Sequence, residues 1–222
     1  MTDIPHKRCF SHGLLLCFPI LDGHAGSDRD FTTIESNAAE IIDFIDEKFG
    51  GSVHLLGGLS LGGQILLEIL SQRGNICRYA ILESALVVPS KLTYAMIKPA
   101  FGSCYGLIRH KWFSKLQFQS LKIKPDLFDD YYRDTCAITK QNMIAFLQEN
   151  ARYSLKDSIG NCSASVQIFV GEKGNRAMRS SAKIIHEQIP GSCLKILPGL
   201  YHGEFSINHA EQYVQAIHQA VK

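Results

Sequence analysis

The sequence predicts an α/β fold: a mostly parallel sheet with helices on both faces and a helical insertion. Short apolar runs at Leu14–Phe18, Ser52–Leu56, Tyr79–Leu82, Val166–Val170 and Leu194–Leu197 have strand length and are bounded by Gly, Pro or polar residues. Amphipathic segments of helical period separate most of them, as the crossovers of a parallel sheet demand. The tight sequence Gly58-Leu59-Ser60-Leu61-Gly62-Gly63 joins one such strand to one such helix.

Taken in order, Leu14–Phe18 reads as a first buried strand, ended by Pro19 and followed by the glycine-rich loop Asp22-Gly23-His24-Ala25-Gly26-Ser27-Asp28. From Thr33 to Phe49, Ile34, Ala38, Ile41, Ile42 and Ile45 recur at helical spacing, with Glu35, Glu40, Asp43 and Asp46 on the other face. The strand before Gly58 and the helix Gln64–Leu70 come next, then Tyr79–Leu82 with Glu83-Ser84-Ala85 at its end. Between Ser90 and Asn161 aromatics alternate with Pro99, Gly102, Gly106 and Pro125, which predicts several short helices and no strand. This block is expected to be a cap inserted over the strand ends, where ligand sites of α/β sheets lie. The domain reading is therefore a core of residues 1–89 and 162–222 with a helical cap of 90–161. Val166–Val170 restores the sheet, Ser180–Gln188 is the next helix, and Leu194–Leu197 is a final strand closed by Pro198-Gly199. Ala210–Val221 is a terminal amphipathic helix.

The chain has 222 residues, 45% hydrophobic and 20% charged, enough for one large domain. A net charge of +2 with no basic run does not point to nucleic acid or an anionic membrane as partner. The 7 cysteines are widely spaced and include no C-x-x-C pair, which indicates neither a disulfide framework nor a zinc site. Pro5, His6, Lys7 and Arg8 precede only a short apolar run, unlike a signal peptide, and no stretch approaches a membrane span. A reducing cytoplasm is the expected location, with no cofactor and no metal required.

The strand–Gly58-x-Ser60-x-Gly62–helix arrangement carries the chemistry. It is the pattern of a nucleophile elbow, in which a strained turn holds the serine hydroxyl above the sheet beside a helix N-terminus. With these surroundings the chain resembles the α/β-hydrolase fold family over nearly its whole length. Asp22–Asp28 resembles that family's D-x-x-G-H-G-x-S loop, and the segment Val170-Gly171-Glu172-Lys173 resembles the strand that delivers the catalytic acid. Pro198-Gly199-Leu200-Tyr201-His202-Gly203 resembles the loop carrying the catalytic histidine.

The resemblance implies that Ser60 is the nucleophile and His202 its base, since a serine hydroxyl attacks well only when a neighbour accepts its proton. It implies a structural role for His24. His54, inside the elbow strand, reads as a satisfied core residue. The family's acid commonly stands where this chain has Gly174. Glu83, at the end of the strand after the elbow helix, is the first substitute, and Glu172 the second. The oxyanion hole would take one donor from the N–H of Leu61. The other usually comes from a loop after an earlier strand; His12-Gly13 precede the first strand instead. The family's first strands are thus expected to be missing. The strand left beside the elbow strand would then close up with it, take a replacement from Met1–Ser11, or belong to a shortened gene product.

Two functional expectations follow. One is a serine hydrolase cleaving a small ester or similar acyl substrate through an acyl-enzyme on Ser60, with Phe101, Tyr105, Trp112, Phe113 and Phe118 of the cap walling an apolar pocket. The other is a non-catalytic or degenerate hydrolase-fold binding protein. Lyase or acyl-transfer chemistry on the same framework, as in the menaquinone-pathway enzyme the arrangement also resembles, is a variant of the first. The oligomeric state is left open.

Overall fold

The computed structural model describes residues 5–11 and 14–221. Its centre is a four-stranded parallel sheet of β3 (Val53–Leu59), β4 (Cys77–Glu83), β5 (Ser165–Gly171) and β6 (Cys193–Leu197), in that order. Ahead of it in sequence, β1 (His6–Ser11) and β2 (Leu14–Pro19) form a separate antiparallel ribbon. Helices α1 (Ile34–Phe49), α2 (Leu61–Gln72) and α7 (Arg176–Gln188) connect the strands, and α8 (Glu204–Asn208) and α9 (Ala210–Ala220) follow the last one. Between β4 and β5 lie α3 (Lys91–Cys104), α4 (Lys111–Ser120), α5 (Phe128–Ala137) and α6 (Lys140–Arg152), with short 3-10 turns between them.

The period-two alternation of β4 and β5 builds a core on each face of the sheet. Ala80, Leu82, Val166, Ile168 and Val170 pack with Ile34, Ala38, Ile41 and Ile45 of α1, Leu66, Leu67 and Leu70 of α2, and Met178, Ala182 and Ile185 of α7. Ile81 and Phe169 point the other way, onto Phe205 of α8 and Tyr213, Ala216 and Ile217 of α9. The helix boundaries have local causes. Thr33 Oγ1 accepts the Ser36 N–H at 3.0 Å to start α1, and Gly50, in the left-handed region at φ 67°, ends it. Asn175 Oδ1 accepts the Met178 N–H at 2.8 Å, so α7 begins at Arg176, ahead of the expected Ser180.

The ribbon departs from expectation. β2 is a strand, but it pairs with β1 and no ladder joins it to β3 among the described residues. With no neighbour on that side, its apolar residues lack cover: Leu15 is 42% and Phe18 54% exposed. Residues 6–11 therefore replace a partner for β2, and among the described residues β3 is bonded to β4 alone. His54 is exposed, its ring 5.2 Å from that of Tyr79, and is not the buried core residue expected.

Candidate active site

Ser60 sits at the turn from β3 into α2 with φ 55° and ψ −114°, a conformation that strains any residue with a Cβ. The surrounding chain leaves it no alternative. Its N–H donates to Glu83 C=O at 2.9 Å, and its C=O accepts the Gln64 N–H at 3.1 Å. The glycines have separate duties: a Cβ on Gly58 would run into the Gly62 carbonyl, and one on Gly63 would lie 2.9 Å from Ala85 Cβ, while Gly62 has open space. Leu61 is the first residue of α2, so its N–H is among those with no acceptor inside the helix.

His202 follows β6 in a loop whose Gly199 and Gly203 take left-handed conformations, φ 74° and 70°. A Cβ on Gly203 would lie 3.4 Å from the methyls of Leu59, which brings the histidine loop against the residue before Ser60. The expected nucleophile and base thus follow the carboxyl ends of β3 and β6, the two outer strands of the parallel sheet. The imidazole is largely buried, and burial holds its pKa below the ordinary value. Its Nδ1 is buried with no hydrogen-bond partner among the described residues.

Glu83 does not fill that vacancy. Its side chain is buried, 2% exposed, and its two oxygens accept the N–H groups of Phe205 and Ser206, each at 3.2 Å. Burial pushes the carboxyl pKa up, while these hydrogen bonds pull against it. The residue expected to orient the imidazole instead fastens the start of α8, directly after the histidine loop. Glu172 is exposed and accepts the Gly199 N–H at 2.9 Å, so it braces the other end of that loop. Gly174 is buried in the adjoining turn, where the Lys173 N–H donates to Leu200 C=O at 2.9 Å. His12 and Gly13, weighed as an oxyanion-loop mark, lie outside the described residues. His24 has the structural role expected: Nδ1 is 3.0 Å from Asp22 C=O, and the ring stacks on Phe146 at 4.8 Å.

The helices between β4 and β5 are tied to this end of the sheet by polar contacts that no sequence motif marks. Gln64 of the elbow helix, fully buried, donates to Leu86 C=O at 2.7 Å and Asn150 C=O at 3.0 Å, and accepts from Asn150 Nδ2 at 2.9 Å. Asn208 accepts the Lys124 N–H at 2.9 Å and donates to Lys122 C=O at 2.8 Å. A cleft of about 600 Å³ opens between α4, α5 and the histidine loop. Of the five aromatics expected to wall a pocket, Phe118 lines this cleft; Phe101 is half-buried on α3, Trp112 is exposed, Phe113 stands against Trp112 at 5.7 Å, and the Tyr105 hydroxyl donates to Ile138 C=O. Among the described residues no cluster of three or more His, Cys, Asp or Glu could hold a metal ion, and no helix is long and apolar enough to cross a membrane.

A parallel sheet with helices on both faces, a strained serine between strand and helix, and a histidine loop after the last strand define the α/β-hydrolase class, with a shortened N-terminal part of the sheet. More narrowly, residues 20–206 match the family model of the serine aminopeptidases, S33 (Hydrolase_4), and the chain belongs to that family. No curated protein matches the sequence. Similar solved structures include an esterase from Exiguobacterium antarcticum (TM-score 0.77, 19% identity, 93% of this chain and 81% of that one). A thermophilic esterase from Thermogutta terrifontis gives TM-score 0.74 at 16% identity, over 92% of this chain and 78% of that one. MenH from S. aureus gives TM-score 0.71 at 16% identity, over 93% and 83%. At these identities the likeness is one of fold.

Proposed function

We propose that the chain is a serine hydrolase that cleaves a small ester or similar acyl compound through an acyl-enzyme on Ser60, with residues 90–161 as its cap. The observation that carries this reading is the left-handed Ser60 at the elbow, against which Gly203 brings the loop of His202. In the reaction, Ser60 Oγ bonds to the acyl carbon as its proton passes to His202, and His202 returns that proton to the departing alcohol. Water then adds to the acyl carbon, gives its proton to His202, and releases the acid as Ser60 recovers its hydrogen. The N–H of Leu61 stabilises the oxyanion of both tetrahedral intermediates. Neither a cofactor nor a metal enters, and the 7 free cysteines suit a reducing compartment such as the cytoplasm.

One observation favours the non-catalytic alternative: the unpartnered Nδ1 of His202, which leaves the imidazolium without a stabilising anion. A fluorophosphonate probe separates the two. The hydrolase reading expects one labelled residue, Ser60, with labelling lost in Ser60→Ala and reduced at least tenfold in His202→Ala. Folded protein that takes up no probe would establish the binding role.

A further inference from the structure

The cleft beside the histidine loop has a charge pattern that the serine chemistry does not require. Tyr201 and Glu204, which bracket His202 and Gly203, form one wall; Phe118 of α4 and Phe128 of α5 contribute apolar surface; Lys115 and Lys122 are among the other lining residues. Neither lysine forms an ion pair among the described residues. Glu204, the acidic group in the lining, is occupied within its own loop, accepting the Tyr201 N–H at 2.8 Å and Asn208 Nδ2 at 3.3 Å. Two lysines against one carboxylate leave one positive charge in excess, beside aromatic surface.

The backbone at Lys122 fixes where its side chain meets the cleft. Its φ is 59°, a left-handed conformation that glycine takes without strain and a lysine does not. Asn208 holds it there, by its donation to the Lys122 carbonyl and its acceptance of the Lys124 N–H. The strained turn of the helical block is thereby locked to the helix that follows His202. Lys122 stands directly after the α4 C-cap Leu121, where helices commonly end on a left-handed residue, and this turn, clamped to α8 by Asn208, sets its side chain in the cleft lining without a counter-ion.

We propose that this cleft is the specificity pocket of the hydrolase, and that Lys115 and Lys122 bind a carboxylate at the far end of an acyl substrate whose chain lies along Phe118, Phe128 and Tyr201. The substrates are then half-esters or half-thioesters of short dicarboxylic acids. The proposal rests on the hydrolase reading of Ser60, and its test keeps the two apart.

The direct measure is kcat/KM for mono-4-nitrophenyl glutarate against 4-nitrophenyl pentanoate, which share chain length and leaving group and differ in the terminal charge. The expected ratio is ten or more in favour of the glutarate at low salt. It should fall about tenfold in Lys115→Gln or Lys122→Gln, the scale of one charge-assisted hydrogen bond, and decline as ionic strength rises. Lys122→Gly should lose the same selectivity while its Tm stays level or rises, because the backbone strain is relieved. The second measure needs no turnover. In the Ser60→Ala protein, glutarate is titrated against the fluorescence of Trp112, the chain's one tryptophan, which stands on α4 one turn before Lys115. Saturable binding weakened about tenfold by either lysine substitution upholds the pocket even if no ester is cleaved, in which case the hydrolase reading fails alone. Turnover of both esters at a ratio near one, or a ratio indifferent to both lysines, overturns the pocket and leaves the hydrolase standing.

Discussion

Replacing Gly174 by aspartate should give His202 the partner that its Nδ1 lacks. The turn at 171–174 packs on the histidine loop, with Lys173 N–H on Leu200 C=O and Gly171 facing the carbonyls of Leu200 and Tyr201. A carboxylate entering there and reaching Nδ1 forms a charge-assisted hydrogen bond of about 1.5–3 kcal/mol in a buried setting. This raises the His202 pKa and opposes the depression caused by burial. If the same energy stabilises the imidazolium in the transition state, kcat rises about 10- to 100-fold. Space is tight but present: the new Cβ would lie 3.0 Å from Gly171 O and 3.9 Å from Met178 Cβ, with a stability cost of about 1 kcal/mol. Arg179, whose Nη1 bonds the carbonyls of Glu172 and Gly174, would compete for the carboxylate, so the variant is also made with Arg179→Met. The assay is the pH profile of kcat on 4-nitrophenyl acetate, paired with an NMR titration of the His202 ring. A folded double variant with an unmoved imidazole titration and unchanged kcat would refute the argument that a missing anion limits this site.

Three further outcomes are expected. Ser60→Gly relieves the left-handed strain and should raise stability by about 1 kcal/mol in urea unfolding, while abolishing fluorophosphonate labelling. Glu83→Gln turns an amide NH₂ toward one of the N–H groups of Phe205 and Ser206, leaving a buried donor unpaired; a loss of about 1–3 kcal/mol is expected by the same measurement. Burial depresses His202 below its ordinary 6.5, so the unfolded chain takes up the proton first as pH falls. Its contribution to stability is therefore complete above about pH 6.5 and is lost as pH drops through the folded value, a slope that His202→Gln should flatten in melts run from pH 7.5 to 5.

Much of the frame is written locally. The alternation in β4 and β5, the Thr33 cap and the left-handed Gly50 of α1, and the glycines around Ser60 each act within a few residues, and the expected elements form there. What failed depends on lateral neighbours. Leu14–Phe18 has the apolar run of a buried strand, yet burial also needs a strand beside it, and a run cannot say whether one comes. Residues 6–11 have no alternating pattern and are a strand because β2 pairs with them. The early start of α7 was readable, since Asn175 stands three residues before the N–H it caps. The clamp from Asn208 to Lys122 and Lys124 was not, because it joins residues 84 or more apart with no motif at either end.

The acid shows how far a motif extends into chemistry. Placing Glu83 at the strand end was sound; which groups its oxygens meet depends on where the loop after β6 turns into α8. That helix begins two residues after His202, and its first N–H groups reach the carboxylate. Glu83 then acts at both sides of the candidate site, its backbone C=O holding the Ser60 N–H and its side chain holding the start of α8, directly after the loop of His202. A carboxylate whose oxygens are committed to backbone donors positions the histidine without neutralising its ring. Positioning and neutralisation, combined in one residue of a full triad, are separable in this chain. Removing the charge at Glu83 should therefore cost stability and activity together, whereas adding one at Gly174 should raise activity at a small cost in stability. That opposition is what a site with a placed but unsupported base predicts, and what a folded binding protein with no serine chemistry would lack.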